Sequence, residues 1–450
     1  MTQPGVVVHT PWNEGSLLKS FDEDFTELIR FASASAVDSG FAALDARGLV
    51  APDSPVELWI TARMTYVFAL AQLRGLAGAE PLVRHGLRSL RGPFHDDEFG
   101  GWFSALDSHD EDAAPAPGAR KEGYAHAFVI LAAAAALLAG HEEAGELLDE
   151  ALEDQDRHWW EPSCGRVRNS WNRDWSECED YRSLNTNMHT VEAYLAAFDA
   201  SGQRRWLDRA REMTRFVADL GARFAWRLPE HFDASWRVQA DMFIDNPADP
   251  FRPYGATPGH GFEWARLILH ARAALTAIGD TPGAWMLEVA RALVERADED
   301  GWDAGRVGGI VYTTDFDGRP VVSTRMHWAG AEAVNAALIL GRVLEEEGDE
   351  AGVEACSERF SRYVSWMDQY AHEGPGRWIH EIDEKGEPGC SVWPGKPDAY
   401  HIAQMLTLPR IGVHPGFAAA LKQAASVWKE TGAVLKDEVA APGEENTGEA

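Results

Sequence analysis

This 450-residue sequence predicts an all-α architecture: an (α/α)6 barrel of six helical hairpins, with short β-hairpins in the loops of one rim. Three observations lead there. Six nearly apolar, helix-like stretches each hold one polar marker: Arg63, His126, His189, His260, His327 and His401, at intervals of 63, 63, 71, 67 and 74 residues. Amphipathic stretches alternate with them, at about 141–158, 205–225, 283–299 and 350–371, with 416–436 after the last marker. The repeat is longer than the roughly 34–47 residues of stacked helical-pair solenoids, and the surplus falls on one side, before each apolar stretch. A ring with the apolar set inside and the amphipathic set outside suits both facts better than an open solenoid.

Taken in order, residues 1–20 are a weakly patterned lead-in. Phe25, Leu28, Ile29 and Phe31 then recur at helical spacing, which predicts a helix over about 21–43. Ser54-Pro55 starts the helix of Arg63. The Ala-rich run 124–139 carries His126, is too short to span a bilayer and reads as a helix buried on all sides. Residues 100–107, 308–318 and 376–386 alternate apolar and polar residues around Gly or acidic turns, as hairpins do. The loop 227–258 is the longest and shows no clear element. Long ordered loops on a rigid scaffold usually carry function. Residues 437–450 read as a disordered acidic tail after one catalytic domain over 1–436.

Four apolar helices share a start: a capping residue, then a His three places on. The pairs are Thr186/His189, Thr257/His260, Thr324/His327 and Asp398/His401. Pro258 suits the first helical position, and Glu263 follows His260 on the same face.

Lys and Arg number 41 and Asp and Glu 72, a formal net charge of −31. That balance argues against nucleic acid and anionic membranes as partners. The 18 Trp suit either sugar stacking or core packing. The cysteines, Cys164, Cys178, Cys356 and Cys390, form no Cys-x-x-Cys or zinc spacing and read as isolated thiols of a cytoplasmic protein. The N-terminus lacks the pattern of a secretory signal. No metal-binding His spacing and no Gly-rich phosphate loop stands out, so neither metal nor cofactor is expected.

If the ring closes, the four His-bearing helix starts converge on one cavity. A helix N-terminus favours neutral imidazole, the form a general base needs near pH 7. With Glu263 and Arg63 beside them, the set suits proton transfer next to a carbonyl, the cation binding enediolate oxygens. Each residue has a plainer reading. A lone His at a helix start is usually a polar neighbour of the cap, and His126 suits a core position. His327 divides evenly between structure and function. Glu263 could simply pair with Arg266, and Arg63 with an internal carboxylate. Asp315/Asp317, Asp241/Asp245 and Glu179/Asp180 could supply a hydrolase's two carboxylates, but read better as turn residues.

The stretches Thr61-Ala62-Arg63-Met64-Thr65-Tyr66, Asn185-Thr186-Asn187-Met188-His189, Pro258-Gly259-His260-Gly261-Phe262-Glu263-Trp264 and Trp393 through Asp398-Ala399-Tyr400-His401 resemble the N-acylglucosamine 2-epimerase superfamily over roughly 15–430. The Arg-Met-Thr form is most similar to its mannose isomerase and sulfoquinovose isomerase branch. The resemblance implies an acid/base pair in His260 and His401. It implies sugar binding and ring opening by Arg63, His189 and Glu263, and further substrate contacts from Asn187, Trp328 and Trp393. The implied reaction interconverts D-mannose and D-fructose through a cis-enediol(ate), without metal or organic cofactor, in a monomer or homo-oligomer. The alternatives are a sulfoquinovose isomerase, a sugar 2-epimerase acting on mannose/glucose or cellobiose, an (α/α)6 glycoside hydrolase, and a sugar-binding protein without turnover. Tyr66 stands where the branch resemblance leads one to expect His. A sulfonate would call for cations, for which Arg237, Arg252, Arg319 and Arg325 are candidates.

Overall fold

The computed structural model describes residues 10–431, apart from 53, 304 and 306. The expected tail at 437–450 lies outside the described residues. Six helices form an inner ring: α2 (Leu58–Leu73), α4 (Gly123–Leu138), α6 (Leu184–Ser201), α8 (Pro258–Ala277), α10 (His327–Glu347) and α12 (Tyr400–Thr407). Neighbours pack in that order, and α12 returns to α2. Their composition explains the seat: every residue of α2 from Leu58 to Ala71 is buried, as in a helix covered all round. The outer helices bury one stripe. In α7 (Arg204–Arg223) the buried positions include Trp206, Leu207, Ala210, Met213 and Val217. Outside, α3 (Ala79–Arg91) packs on α2, α5 (Ala144–Asp154) on α4, α7 on α6, α9 (Trp285–Gly301) on α8 and α11 (Glu350–Trp366) on α10.

Two expectations change. The helix predicted over 21–43 is α1, Gly15–Ser33; the chain then turns into a hairpin pairing Ala36–Val37 with Gly40–Phe41. This α1, not the stretch 416–436, sits on α12, so the first helix completes the outer layer. The stretch predicted as the last outer helix is α13 (Phe417–Thr431), which instead packs on α2, α4 and α6. Both helices are amphipathic, so periodicity alone could not choose between their seats.

The rim has a repeating tie. The segment entering each inner helix pairs with the loop that precedes the next one. Val56–Glu57 pairs with Ala105–Leu106, Lys121–Glu122 with Ser170–Trp171, and Arg182–Ser183 with His231–Phe232. Ala256 bridges Thr314, Arg325 and Met326 pair with Ile382 and Glu381, and Lys396 bridges Leu44, which closes the circle. Of the three predicted hairpins, 308–318 forms one, as Val311–Thr314 with Pro320–Met326. Strand 105–106 and strand 381–382 pair across repeats instead. The loop 227–258 contains one short strand, His231–Phe232. Tyr312 fastens it by donating to the carbonyls of Asp249 and Pro250 at 3.0 and 3.1 Å. Among the described residues, no helix is long and apolar enough to cross a membrane.

Candidate active site

The rim ties, more than side-chain caps, fix where the inner helices begin. Thr257 is the N-cap of α8, with Pro258 first and His260 third, but its hydroxyl makes no cap bond. The other starts differ from the expected scheme. Ser183 caps α6, accepting from the Thr186 amide at 3.2 Å, so His189 lies a turn deeper. His327 is the first residue of α10 and His401 the second of α12.

All six inner helices nevertheless reach one cavity of about 600 Å3, counted with its open mouth. Helix α2 contributes Trp59 and Arg63, α4 Tyr124, α6 Asn185 and His189. Helix α8 contributes His260 and Glu263, α10 His327 and Trp328, and α12 His401. Pro250, Phe251 and Pro253 from the long loop, Tyr312, His380, and Trp393, Pro397 and Asp398 before α12 complete the lining. On α4 the cavity residue is thus Tyr124, not the marker His126. His126 is in the core, its Nε2 3.0 Å from the Ala151 carbonyl.

Two imidazoles are tied to carboxylates in the same way. His260 Nδ1 lies 2.8 Å from Glu230 Oε1, and His401 Nδ1 lies 3.0 Å from Glu332 Oε1. A carboxylate accepts, so each Nδ1 carries the proton and each Nε2 keeps a lone pair. The indole of Trp328 lies against both, with ring centroids 5.1 Å from His260 and 5.8 Å from His401. Burial, followed by the Arg63 charge, pushes His401 well below the usual imidazole value. Burial brings His189 to about 4.

Beneath the histidines, one guanidinium serves three buried carboxylates. Arg266 Nε donates to Glu332 at 2.7 Å, and Nη2 to Glu263 at 3.3 Å; Nη1 is 3.6 Å from Glu192. One positive charge cannot offset three negative ones. Burial and then the Glu332 charge push Glu263 well above the carboxylate range, and burial raises Glu332. Burial would raise Glu192 too, but His189 and Arg266 hold it below the usual value. Its oxygens also accept from Tyr400 and, at 2.9 Å, from Gln404. Arg63 donates to Asp398 at 3.0 Å and to the Tyr124 hydroxyl at 2.8 Å, with its guanidinium 4.3 Å from the Phe128 ring centroid. It is therefore held as a cation at the cavity wall.

Two triads bring possible metal-ligand atoms within 4.8 Å of one another: His189/Glu192/Glu263 and Glu263/Glu332/His401. Arg266 already bridges the carboxylates of both, so a cation there would displace a guanidinium.

Seven of the eight predicted site residues line the cavity: His260, His401, Arg63, His189, Glu263, Trp328 and Trp393. Asn187 does not. Its side-chain amide accepts from the Val167 amide and donates to the carbonyls of Val167 and Ser183, which fastens α6 to the rim. Asn185 lines the cavity instead. It precedes His189 by four residues and so shares its face, a relation that helical spacing could have revealed. The same spacing joins Trp59 to Arg63 and Trp328 to Glu332. Nothing local marks Glu230, His380 or Phe251. The hydrolase pairs are elsewhere: Asp315 and Asp317 hold a turn with Arg319, and Glu179 pairs with Arg252 at 2.9 Å. Arg237, Arg252, Arg319 and Arg325 are all absent from the cavity lining.

A family profile, N-acylglucosamine 2-epimerase, matches residues 40–405. The chain is 45% identical over 408 residues to a D-mannose isomerase of Thermobifida fusca, covering 89% of this chain and 96% of that one. It is 39% identical to a D-mannose isomerase of Pseudomonas cannabina pv. alisalensis, covering 88% and 92%. A crystal structure of a D-mannose isomerase superposes with a TM-score of 0.77 at 25% identity, covering 89% of this chain and 99% of that one.

Proposed function

The chain belongs to the N-acylglucosamine 2-epimerase family, and from that premise we propose that it is an aldose–ketose isomerase interconverting D-mannose and D-fructose. One observation carries the reading: two imidazoles in one cavity, each with Nδ1 tied to a carboxylate and Nε2 left basic. The relatives named D-mannose isomerase support the choice of sugar.

In this reading Arg63 and His189 hold the sugar, and His260 and Glu263 move protons on its oxygens as the ring opens. Glu263, pushed well above the carboxylate range by burial and by Glu332, is suited to hold a proton and donate it. His401 Nε2 then takes the C2 proton. Arg63 steadies the enediolate oxygens of the cis-enediol(ate). As a proton passes from O2 to O1, His401 returns its proton to C1 on the same face. A single base suffices, because aldose–ketose transfer need not cross the plane of the intermediate. Its depressed pKa keeps His401 in the free-base form at neutral pH.

A sugar 2-epimerase is the second reading. The presence of two carboxylate-tied imidazoles rather than one favours it, since reprotonation of C2 from the opposite face needs a second base. The four cysteines, all free thiols, suit a reducing compartment, and the cytoplasm is the one we propose.

NMR of D-mannose with the protein in D2O, with chelator present, tests the function. Fructose should appear. Glucose without fructose would transfer the assignment to the epimerase, and unchanged mannose would end both readings for this sugar.

A further inference from the structure

The reaction above leaves two imidazoles of the cavity, His327 and His380, without a task. His327 opens α10, directly after the strand whose Arg325 and Met326 pair with Ile382 and Glu381. The next step of that register brings His327 opposite His380. The His380 carbonyl accepts from the His327 amide at 3.0 Å and from Nδ1 at 3.2 Å. The two rings stack, with centroids 3.7 Å apart and planes 21° apart. A carbonyl can only accept, so His327 Nδ1 carries the proton and Nε2 is a bare acceptor. That Nε2 is buried and has no hydrogen-bond partner, on a ring that lines the sugar cavity.

We propose that His327 is a positioning residue of the sugar site: held as the Nδ1–H tautomer by the His380 carbonyl and stacked on the His380 ring, it accepts a hydrogen bond at Nε2 from a substrate hydroxyl. Buried polar atoms find partners, and an acceptor orphaned in the wall of a binding cavity matches a donor that arrives with the ligand. A hexose has donors to spare. The neighbours keep the acceptor available. Burial brings His327 to about 4 and holds His380 well below the ordinary imidazole value, so both rings are neutral near pH 7. Among the described residues no carboxylate hydrogen-bonds to His327 in the way Glu230 and Glu332 do to His260 and His401, so the ring is built to read a hydroxyl rather than to cycle a proton. The proposal deepens the isomerase reading and rests on it for the class of ligand.

The test compares the native protein with His327→Phe, which keeps a stackable ring and removes the acceptor, and with His327→Asn, which restores an acceptor. D-mannose and its 3-, 4- and 6-deoxy analogues are the probes, read both by steady-state kinetics and by calorimetric binding. His327→Phe should raise KM for mannose about tenfold, the scale of one lost neutral hydrogen bond, with kcat within about threefold. One deoxy sugar, a poor ligand of the native protein, should be no worse than mannose with His327→Phe, and His327→Asn should recover part of the loss. A fall in kcat at unchanged KM would overturn the proposal. So would deoxy penalties that persist in full in His327→Phe. Calorimetry separates the two ideas: hexose binding without turnover would sink the isomerase reading and leave the His327 comparison intact.

Discussion

His401 Nδ1 lies 3.0 Å from Glu332 Oε1, and the other oxygen of that fully buried carboxylate takes Arg266 Nε at 2.7 Å. One side chain thus orients the imidazole and anchors the cation beneath it. Glu332→Gln should keep the shape and lose the charge. We expect kcat to fall on the order of 100-fold with little change in KM, because the amide no longer fixes the Nδ1–H tautomer as a carboxylate does. The Glu332 charge also raises Glu263. The substitution should therefore shift the Glu263 limb of the pH–rate profile downward, and a profile that loses amplitude alone would count against the coupling.

His401→Ala and His260→Ala should each cost about 10²–10⁴-fold in kcat, the usual scale of a lost general acid or base. Solvent deuterium should separate them. Without His401, exchange at C2 stops; without His260, residual C2 exchange persists when the sugar is supplied in its open-chain form.

Acid should unfold this protein earlier than its carboxylates alone would dictate. Burial brings His126, His189, His270 and His327 to about 4, against 6.5 for an exposed imidazole. Between those values the unfolded chain binds protons that these four rings refuse when folded, so their contribution to stability falls as pH drops from 6.5 toward 4, against the opposite contribution of the raised carboxyls Glu263 and Glu332. Each residue contributes on the order of 3 kcal/mol across that window. Urea titrations from pH 8 to pH 4 on the native protein and on His126→Phe should isolate one such ring: the native midpoint should fall relative to that of the variant as pH drops below 6.5. A constant difference between the two midpoints across that range would contradict the burial of the His126 ring.

Phe251 reaches from the long loop into an aromatic set, with centroids 5.1 Å from Trp393, 5.7 Å from Tyr124 and 5.9 Å from Trp59. Phe251→Ala should open the mouth of the cavity. KM for mannose should rise severalfold with kcat nearly intact, and tryptophan fluorescence should become more accessible to iodide.

Gly255 has φ +98°, and a Cβ there would strike the Thr314 carbonyl across the Ala256–Thr314 tie. Gly255→Ala should lower Tm by several degrees, corresponding to about 1–3 kcal/mol of strain. It should also lower kcat, since the tie sets the entry to α8 and hence the position of His260. Equal Tm would mean that the loop shifts freely.

The barrel was legible because burial on all sides leaves a mark that spacing can read: one polar residue in each apolar helix, repeated around the ring. His189, His260 and His401 were found in this way. Their partners were not. Glu230 and Glu332 stand 30 and 69 residues from the histidines they orient, and no periodicity carries such a relation. Asn185 and Asn187 stand four and two residues before His189, and the 100° turn per residue separates the wall position from the rim anchor. The seats of α1 and α13 were exchanged because an amphipathic stripe specifies that a face is covered, not by what.

The last rim tie, Lys396 to Leu44, and the pairing of Arg63 with Asp398 join the two ends of the chain. A ribosome therefore releases most of this protein before its pocket can exist. Five inner helices and their outer partners can stack as they emerge, yet Arg63 waits for a carboxylate 335 residues downstream. Assembly of the cavity coincides with closure of the ring, so a chain that stalls or is cut before Asp398 lacks the wall that Asp398 and His401 supply.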